Sequence, residues 1–494
     1  MATPGTSEAA REPARAGSTG WFLVLTGCGV AVRLVALLLA GDLEPVLDEG
    51  AYLYHAACWE RFGFHVDSGR WLWAPGYPLF LRVALGAFGV EGVQVAKLVQ
   101  VVLSASVGFC TMRIAADLFG RRAGVAAGLL WCVHLPLIGF THLLWPETLF
   151  LALLMPALAL QLRWSQRADE PGAAGLLLPA GLLLGCAALV KEAAVLLPLV
   201  LAAAILVRLR GNRKEGARAA SLLVLAAVTA VLPWSLRNQE VHGQVALVGA
   251  SAGYNSWVGV TGRTRNFDYP AAFLAPARDG YASLYDAEDW RFRAFIERPE
   301  GTTLEALPAR REGRSPRNAV QLSRAETARA WRHARRHPGL FLRGRIKQLS
   351  NWVTPTSFFV RHMGMGRYVG LQPGGWLQRA LLVTALLVPA LVLVLGVRGL
   401  VRLVRARAPG TEVVLAALAL AVALALLVGM SRHRAAWEPL LIVLAAGGLL
   451  RGPVSTKRGP SRVVLLGWAL LGGLWFIGAP ELVAAVHAVW GGAS

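Results

Sequence analysis

Apolar residues in this chain run on for about twenty positions at a time and then give way to short polar segments. Runs at 21–40, 94–116, 378–397 and 411–429 have the length a helix needs to cross a hydrocarbon core. The full set of such runs predicts an all-α polytopic membrane protein with about eleven transmembrane helices. The first run follows a polar leader and ends in small residues at Ala40 and Gly41, as a cleaved signal segment does. It is long for that purpose, it contains Arg33, and further spans follow it, so it reads as a retained helix.

Polar positions then give the expected orientation. Arg11 and Arg15, Arg121 and Arg122, Arg163 and Arg167, Arg208 to Arg218, Arg398 to Arg407 and Arg451 to Arg462 fall in alternate connections, which positive-inside bias places in the cytoplasm. The N-terminus is then cytoplasmic and the C-terminus outside. This divides the chain into a cytoplasmic tail (1–20), a transmembrane region (21–234) with a first outer loop at 41–92, an extracytoplasmic loop or small domain (235–377) and a second transmembrane region (378–494). Segment 235–377 is polar and rich in Arg, Asp and Glu. From Arg324 through Lys347 to Trp352 basic residues alternate with Leu, Phe, Ile and Trp, the composition of an amphipathic helix lying in the interface. Trp59, Trp71, Trp73 and Tyr77 would anchor 50–91 at headgroup level.

Composition agrees: 55% of residues are hydrophobic and only 16% charged, the balance of a lipid-embedded chain. The net charge of +21 would suit nucleic acid if it lay on one soluble face. It is spread over short inter-span segments instead, so membrane lipids are the expected partner and nucleic acid is not. The five cysteines, Cys28, Cys58, Cys110, Cys132 and Cys186, form no CxxC pair and read as packing residues.

Chemistry concentrates in the outer connections. Asp48 and Glu49, in LDEGAYLYHAACW, sit just past the first span, and Glu147, in HLLWPETLF, sits at an outer turn on the same face. Each carboxylate could simply open a helix, where backbone N–H groups and the dipole favour negative charge. Two such sites on one face point further, to general-base chemistry. Cations share that side: Arg237 in LPWSLRNQEVHG, Arg343, Arg345 and Lys347 in FLRGRIKQL, and Arg432 and Arg434 in SRHRAAWEPLL. A lipid phosphate needs such a cluster, although single interfacial cations also snorkel to headgroups. Arg33, Lys191 and Glu192 are the charges deepest in apolar sequence, and so functional candidates, although Lys191 and Glu192 could mark a turn and Arg33 could pair within the bundle. A divalent cation shared by Asp48 and Glu147 is conceivable, but no further ligand strengthens it, and the metal requirement stays open.

The order DEGAYLYHA (48–56), WAPGYPLF (73–80), WPETLF (145–150), PWSLRN (233–238), GYNSWVG (253–259), HPGLFLRGRIKQL (337–349) and RHRAAWEPLLIVLAA (432–446) resembles the GT-C membrane glycosyltransferases. The group resembled is the glycosyltransferase-39-like one, with its protein O-mannosyltransferases and lipid A aminoarabinose transferases. The resemblance implies a GT-C-like bundle with extracytoplasmic amphipathic helices and one large outer loop. It implies a polyprenyl-phosphate-linked sugar donor and a lipid, glycan or protein acceptor, met at the outer face of a cell membrane, expected to be a bacterial inner membrane. In that family the acidic residue of the first outer loop, here Asp48, is the proposed base. Glu49 and Glu147 would accompany it. Arg237, Lys347, Arg432 and Arg434 would meet the donor phosphate, and Tyr52, Tyr77 and Asn255 the substrates. An inverting displacement follows, since a phosphate leaving group needs no second acid. Departures are Lys191-Glu192 where many relatives carry Arg-Pro, and His433 and Ala436 in place of Tyr and Pro.

Three other readings compete, of which a non-catalytic scaffold would leave the carboxylates and cations without a shared purpose. A transporter or flippase would carry its charges near the midplane on broken helices, often in repeated halves, and no repeat is visible. An O-antigen ligase or polymerase also combines many spans with a large outer loop, but has no need of the Asp-Glu pair.

Overall fold

The computed structural model describes residues 12–40, 48–62, 73–260, 319–357, 359–360, 363, 375–450 and 462–490. Residues 261–318 of the long polar segment, Arg11, Trp71 and the basic stretch 451–461 lie outside them. Every regular element among the described residues is a helix, as lipid requires of a chain that must satisfy its own backbone. In chain order these are α1 (Glu12–Ala40), α2 (Asp48–Phe62), α3 (Gly76–Phe88), α4 (Gly92–Phe119), α5 (Arg121–Val133) and α6 (Leu135–His142). Next come α7 (Glu147–Gln166), α8 (Leu177–Val190), α9 (Leu197–Arg208), α10 (Arg213–His242) and α11 (Ala252–Val260). The remainder are α12 (Ala319–Arg336), α13 (Pro338–Val353), α14 (Trp376–Ala406), α15 (Thr411–Leu427), α16 (Ser431–Ala435), α17 (Glu438–Leu449) and α18 (Arg462–Trp490).

The chain is a multi-pass helical membrane protein. Among the described residues seven helices are long and apolar enough to cross a membrane, fewer than the eleven expected, and α5 with α6 makes an eighth if the pair, bent by 56°, is one span. Pro136, in the first turn of α6, has no N–H to continue the ladder from α5, which accounts for the break. The remaining apolar runs of the sequence are helical but short, α15 and α17 among them. They stop where charge interrupts them: Lys191-Glu192 divides α8 from α9, and Arg432, Arg434 and Glu438 divide α15 from α17.

Lipid-facing and protein-facing surfaces separate as expected for a bundle. Leu38 on α1 and Phe476 on α18 are largely exposed, whereas Glu438 through Gly448 of α17 are buried throughout. Close helix contact there depends on small residues, because without a hydrophobic drive in lipid, tight backbone approach supplies the attraction. Gly399 of α14 faces the Leu444 carbonyl and Gly448 of α17 faces that of Leu395, and a methyl group on either would overlap its neighbour. Arg33, fully buried in α1, stacks 3.8 Å from the Trp131 ring and donates to the Gly29 and Trp131 carbonyls at 3.0 and 3.3 Å. It serves packing, as pairing within the bundle predicts.

Candidate active site

Asp48 opens α2 and Glu147 opens α7 behind Pro146, so both stand where a helix start favours carboxylates. Their side chains nevertheless turn to residues distant in sequence. Glu147 is fully buried, and its Oε1 accepts from Lys191 Nζ at 2.9 Å and from Arg432 Nε at 3.1 Å. Arg432 also donates through Nη1 to Asp48 Oδ2, and its guanidinium lies 3.8 Å over the Trp145 ring. The four charges thus form one chain, Asp48, Arg432, Glu147 and Lys191, drawn from the starts of α2 and α7, the α8 break and α16. Two positive charges meet two negative ones, which is what permits so many charges in so dry a place.

Asp48 differs from Glu147 in being open: 39% of its side chain is exposed. Glu49 faces inward, buried, and its Oε1 accepts the Leu144 N–H at 2.9 Å, clamping α2 to the turn before Glu147. That turn has a second clamp. Gln100 of α4 donates to the Thr141 and Leu143 carbonyls at 3.1 and 3.0 Å and accepts from the Tyr77 hydroxyl at 2.9 Å. The Tyr77 ring in turn packs edge-on against Tyr52, 5.0 Å between centres. Tyr77 and Glu49, expected to meet substrate and to share in the chemistry, are buried positioning groups instead. Tyr52 lies beside the charges. Burial lifts its phenol well above the ordinary range, Arg432 opposes this, and Asp48, Glu147 and Glu192 reinforce it.

Electrostatics follow from the same contacts. Burial works against the charge on Arg432, but Glu147 and Asp48 outweigh it and hold the guanidinium above its usual range. Burial pulls the Lys191 ammonium down, Glu147 resists, and Arg432 adds to the depression. His433 is pushed down to about 4 by burial, with Lys191 and Arg432 contributing, and is neutral at pH 7. Since the Val428 carbonyl, 2.7 Å from its Nδ1, can only accept, Nδ1 carries the proton and Nε2 a lone pair.

The expected cations do not converge as a group. Arg434 is fully buried and bonds to Glu438 at 2.6 Å and to the carbonyls of Trp352, Thr354 and Thr356 at 2.7, 2.6 and 3.2 Å. Glu438 lies in turn 3.3 Å from His134 Nε2. Four of its five N–H donors are spent inside the bundle and the side chain is fully buried, so Arg434, expected to meet the donor phosphate, is a structural cation instead. Arg345 is likewise taken up by the carbonyls of Leu426, Leu427 and Gly259. Arg237, near the end of α10, is half-buried, lies 4.8 Å from the Trp234 ring and donates to Asn238 Oδ1 at 3.2 Å. Lys347 is half-buried on α13. Asn255 of α11 belongs to a second polar group, since its Nδ2 donates to Ser251 Oγ at 3.2 Å and Ser251 Oγ donates to Glu192 Oε1.

Among the described residues no three His, Cys, Asp or Glu side chains gather as a metal set. The two carboxylates in question already share Arg432, and Lys191 takes Glu147 as well. This donor set does not fit a divalent ion.

Lys191, Trp145 and Gln100 are the contributors that sequence reasoning did not assign. Lys191 did carry a signal, being an ionisable residue within apolar sequence. Trp145 stands at the head of the WPETLF motif but was given no role of its own, and Gln100 carried no signal.

Residues 73–234 match the family model described as dolichyl-phosphate-mannose-protein mannosyltransferase. The GT-C resemblance therefore stands over the stretch that holds Tyr77, Glu147 and Lys191, while Asp48 and Arg432 lie outside it. No curated relative matches the chain. Among solved structures it is similar to the archaeal oligosaccharyltransferase AglB from Archaeoglobus fulgidus, in complex with an inhibitory peptide and a dolichol-phosphate. Identity is 12% and the TM-score 0.45, over 94% of this chain and 56% of that one. It is also similar to ArnT from Cupriavidus metallidurans bound to undecaprenyl phosphate, at 17% identity and a TM-score of 0.40, over 87% of this chain and 78% of that one. The chain spans about half the length of the oligosaccharyltransferase chains it matches.

Proposed function

We propose that this chain transfers a sugar from a polyprenyl-phosphate-linked donor to an acceptor hydroxyl at the extracytoplasmic face, with inversion and with Asp48 as the base. The observation that carries the reading is the joining of an open carboxylate and a buried one through Arg432, in a protein whose residues 73–234 match a family named for a polyprenyl-type phosphate sugar donor.

Asp48 is the base because it is the exposed carboxylate of the cluster. Glu147, buried between two cations, holds Arg432 and Lys191 in place. The acceptor O–H gives its proton to Asp48 as its oxygen attacks the anomeric carbon. The bond from that carbon to the phosphate oxygen breaks, and polyprenyl phosphate leaves with the electron pair. Arg432 is held to Asp48 before the donor arrives, which occupies one oxygen of the carboxylate. A phosphate that draws Arg432 toward itself stabilises its own departure and frees the base in the same motion. Lys191 keeps Glu147 paired meanwhile. Arg237 and Lys347 remain proposed phosphate contacts.

The test is Asp48→Asn in the purified, lipid-reconstituted protein. Turnover is expected to fall at least about a hundredfold, the usual scale for losing a general base, with undecaprenyl phosphate still bound. Turnover near wild type in that variant overturns the assignment.

A further inference from the structure

Lys191 and Glu192 are neighbours in sequence that face two different groups of residues. Lys191 joins the ionic cluster through Glu147. Glu192 ends a one-way relay in which the Asn255 amide donates to the Ser251 hydroxyl and that hydroxyl donates to the Glu192 carboxylate. Unlike Glu147 and Glu438, which are fully enclosed, all three relay residues are half-buried. The Tyr52 phenol of α2 lies within electrostatic range of both groups, Asp48, Arg432 and Glu147 of the one and Glu192 of the other.

A tether between the α8 break and α11 would also produce these contacts. But α11 is already held elsewhere. The Gly253 N–H donates to Ser323 Oγ at 3.0 Å, Arg329 stacks 3.9 Å over the Trp257 ring, and Arg345 donates to the Gly259 carbonyl. The charge of Glu192 is also wrong for binding phosphate and right for a neutral polyol, because a carboxylate accepts hydrogen bonds from hydroxyl pairs and repels an anion.

Resting on the glycosyltransferase reading, we propose that Glu192, Ser251 and Asn255 form a hydroxyl-reading subsite for the sugar ring of the donor, beside the cations that take its phosphate. Hydrogen bonds with these groups would depend on where a sugar carries its hydroxyls, so the subsite would set which sugar this chain accepts. Burial holds Glu192 up at about 7, with a backbone contact from Ser251 opposing. The groups facing it are Tyr52 from α2 and the neutral Ser251 and Asn255 from α11, with Lys191 adjacent in the chain. Its ionised form, which offers both oxygens as acceptors, therefore grows in between pH 6 and 8, and sugar binding rises over that range.

The experiment measures the affinity of the reconstituted protein for bare undecaprenyl phosphate and for its mannose, glucose and aminoarabinose esters. In the wild type at least one ester is expected to bind about tenfold or more tighter than the bare lipid, the scale of hydrogen bonds to a charged group. Glu192→Gln and Ser251→Ala should shrink that margin to about twofold, leave the bare lipid unchanged, and remove the rise between pH 6 and 8 in the former. Asn255→Ala serves as a third variant should either of these fail to fold. An unchanged margin in the variants, an equal loss for bare and sugar-bearing lipids, or no margin for any ester in the wild type each overturns the subsite. Failure of the wild type to bind even bare undecaprenyl phosphate would remove the donor reading itself, a separate and recognisable failure.

Discussion

Arg432 and Arg434 stand two positions apart in one short helix and have opposite fates. Successive residues of a helix turn by about 100°, so the two guanidinium groups leave α16 on roughly opposite sides. One meets Asp48 and Glu147, while the other enters a closed nest of Glu438 and three carbonyls. Arg434→Met leaves the Glu438 carboxylate buried without its cation, which is expected to lower stability by about 3–5 kcal/mol. Thermal or denaturant unfolding in detergent measures this, and adding Glu438→Leu should restore much of the loss. Arg432→Gln should instead fold well, because Lys191 still pairs Glu147. Its turnover should fall about a hundredfold or more through the lost contact to the leaving phosphate. Wild-type turnover in Arg432→Gln together with an undisturbed fold in Arg434→Met would reverse both roles.

At the scale of elements, the site is assembled from helix starts and breaks. Charge can enter an apolar bundle where the backbone ladder is interrupted, and the interruptions at Lys191-Glu192 and at Met430–Ala436 bring Lys191 and Arg432 to one cluster. α11 meets Glu192 beside this cluster and is laid against α12 at Gly253, where a side chain would overlap the backbone of Ser323. Gly253→Ala is therefore expected to lift α11 from α12. Hydrogen exchange should show faster exchange across Ala252–Val260, with α17 protected as before. Unchanged protection of α11 would mean that other contacts hold this helix in place.

For the whole molecule, orientation in the membrane decides whether donor and acceptor can reach Asp48 from outside. With the five native cysteines replaced, a cysteine at Arg335 of α12 should react with an impermeant reagent added externally. One at Arg213, at the start of α10, should not. Both positions are exposed, so access to the reagent depends on the side of the membrane alone. The reverse pattern would put the cluster on the cytoplasmic face and exclude the proposed reaction there.

The helical membrane character was legible in the sequence because span length and apolar content are local properties, and lipid leaves few other solutions. The candidate status of Asp48, Glu147 and Arg432 was legible too, since each is a charge beside apolar sequence that demands a partner. Which partner each finds was not. Asp48 and Arg432 are separated by 384 positions and Lys191 and Glu147 by 44. Only the packing of α2, α7, α8 and α16 brings them within bonding distance. Exposure was undecided in the same way: Glu49, Tyr52 and Tyr77 read as well as Asp48 for chemistry, yet all three are buried. A sequence shows which residues carry charge and hydrogen-bonding capacity. Helix phase and the closure of the bundle decide which of those groups are spent on one another and which stay open to a substrate.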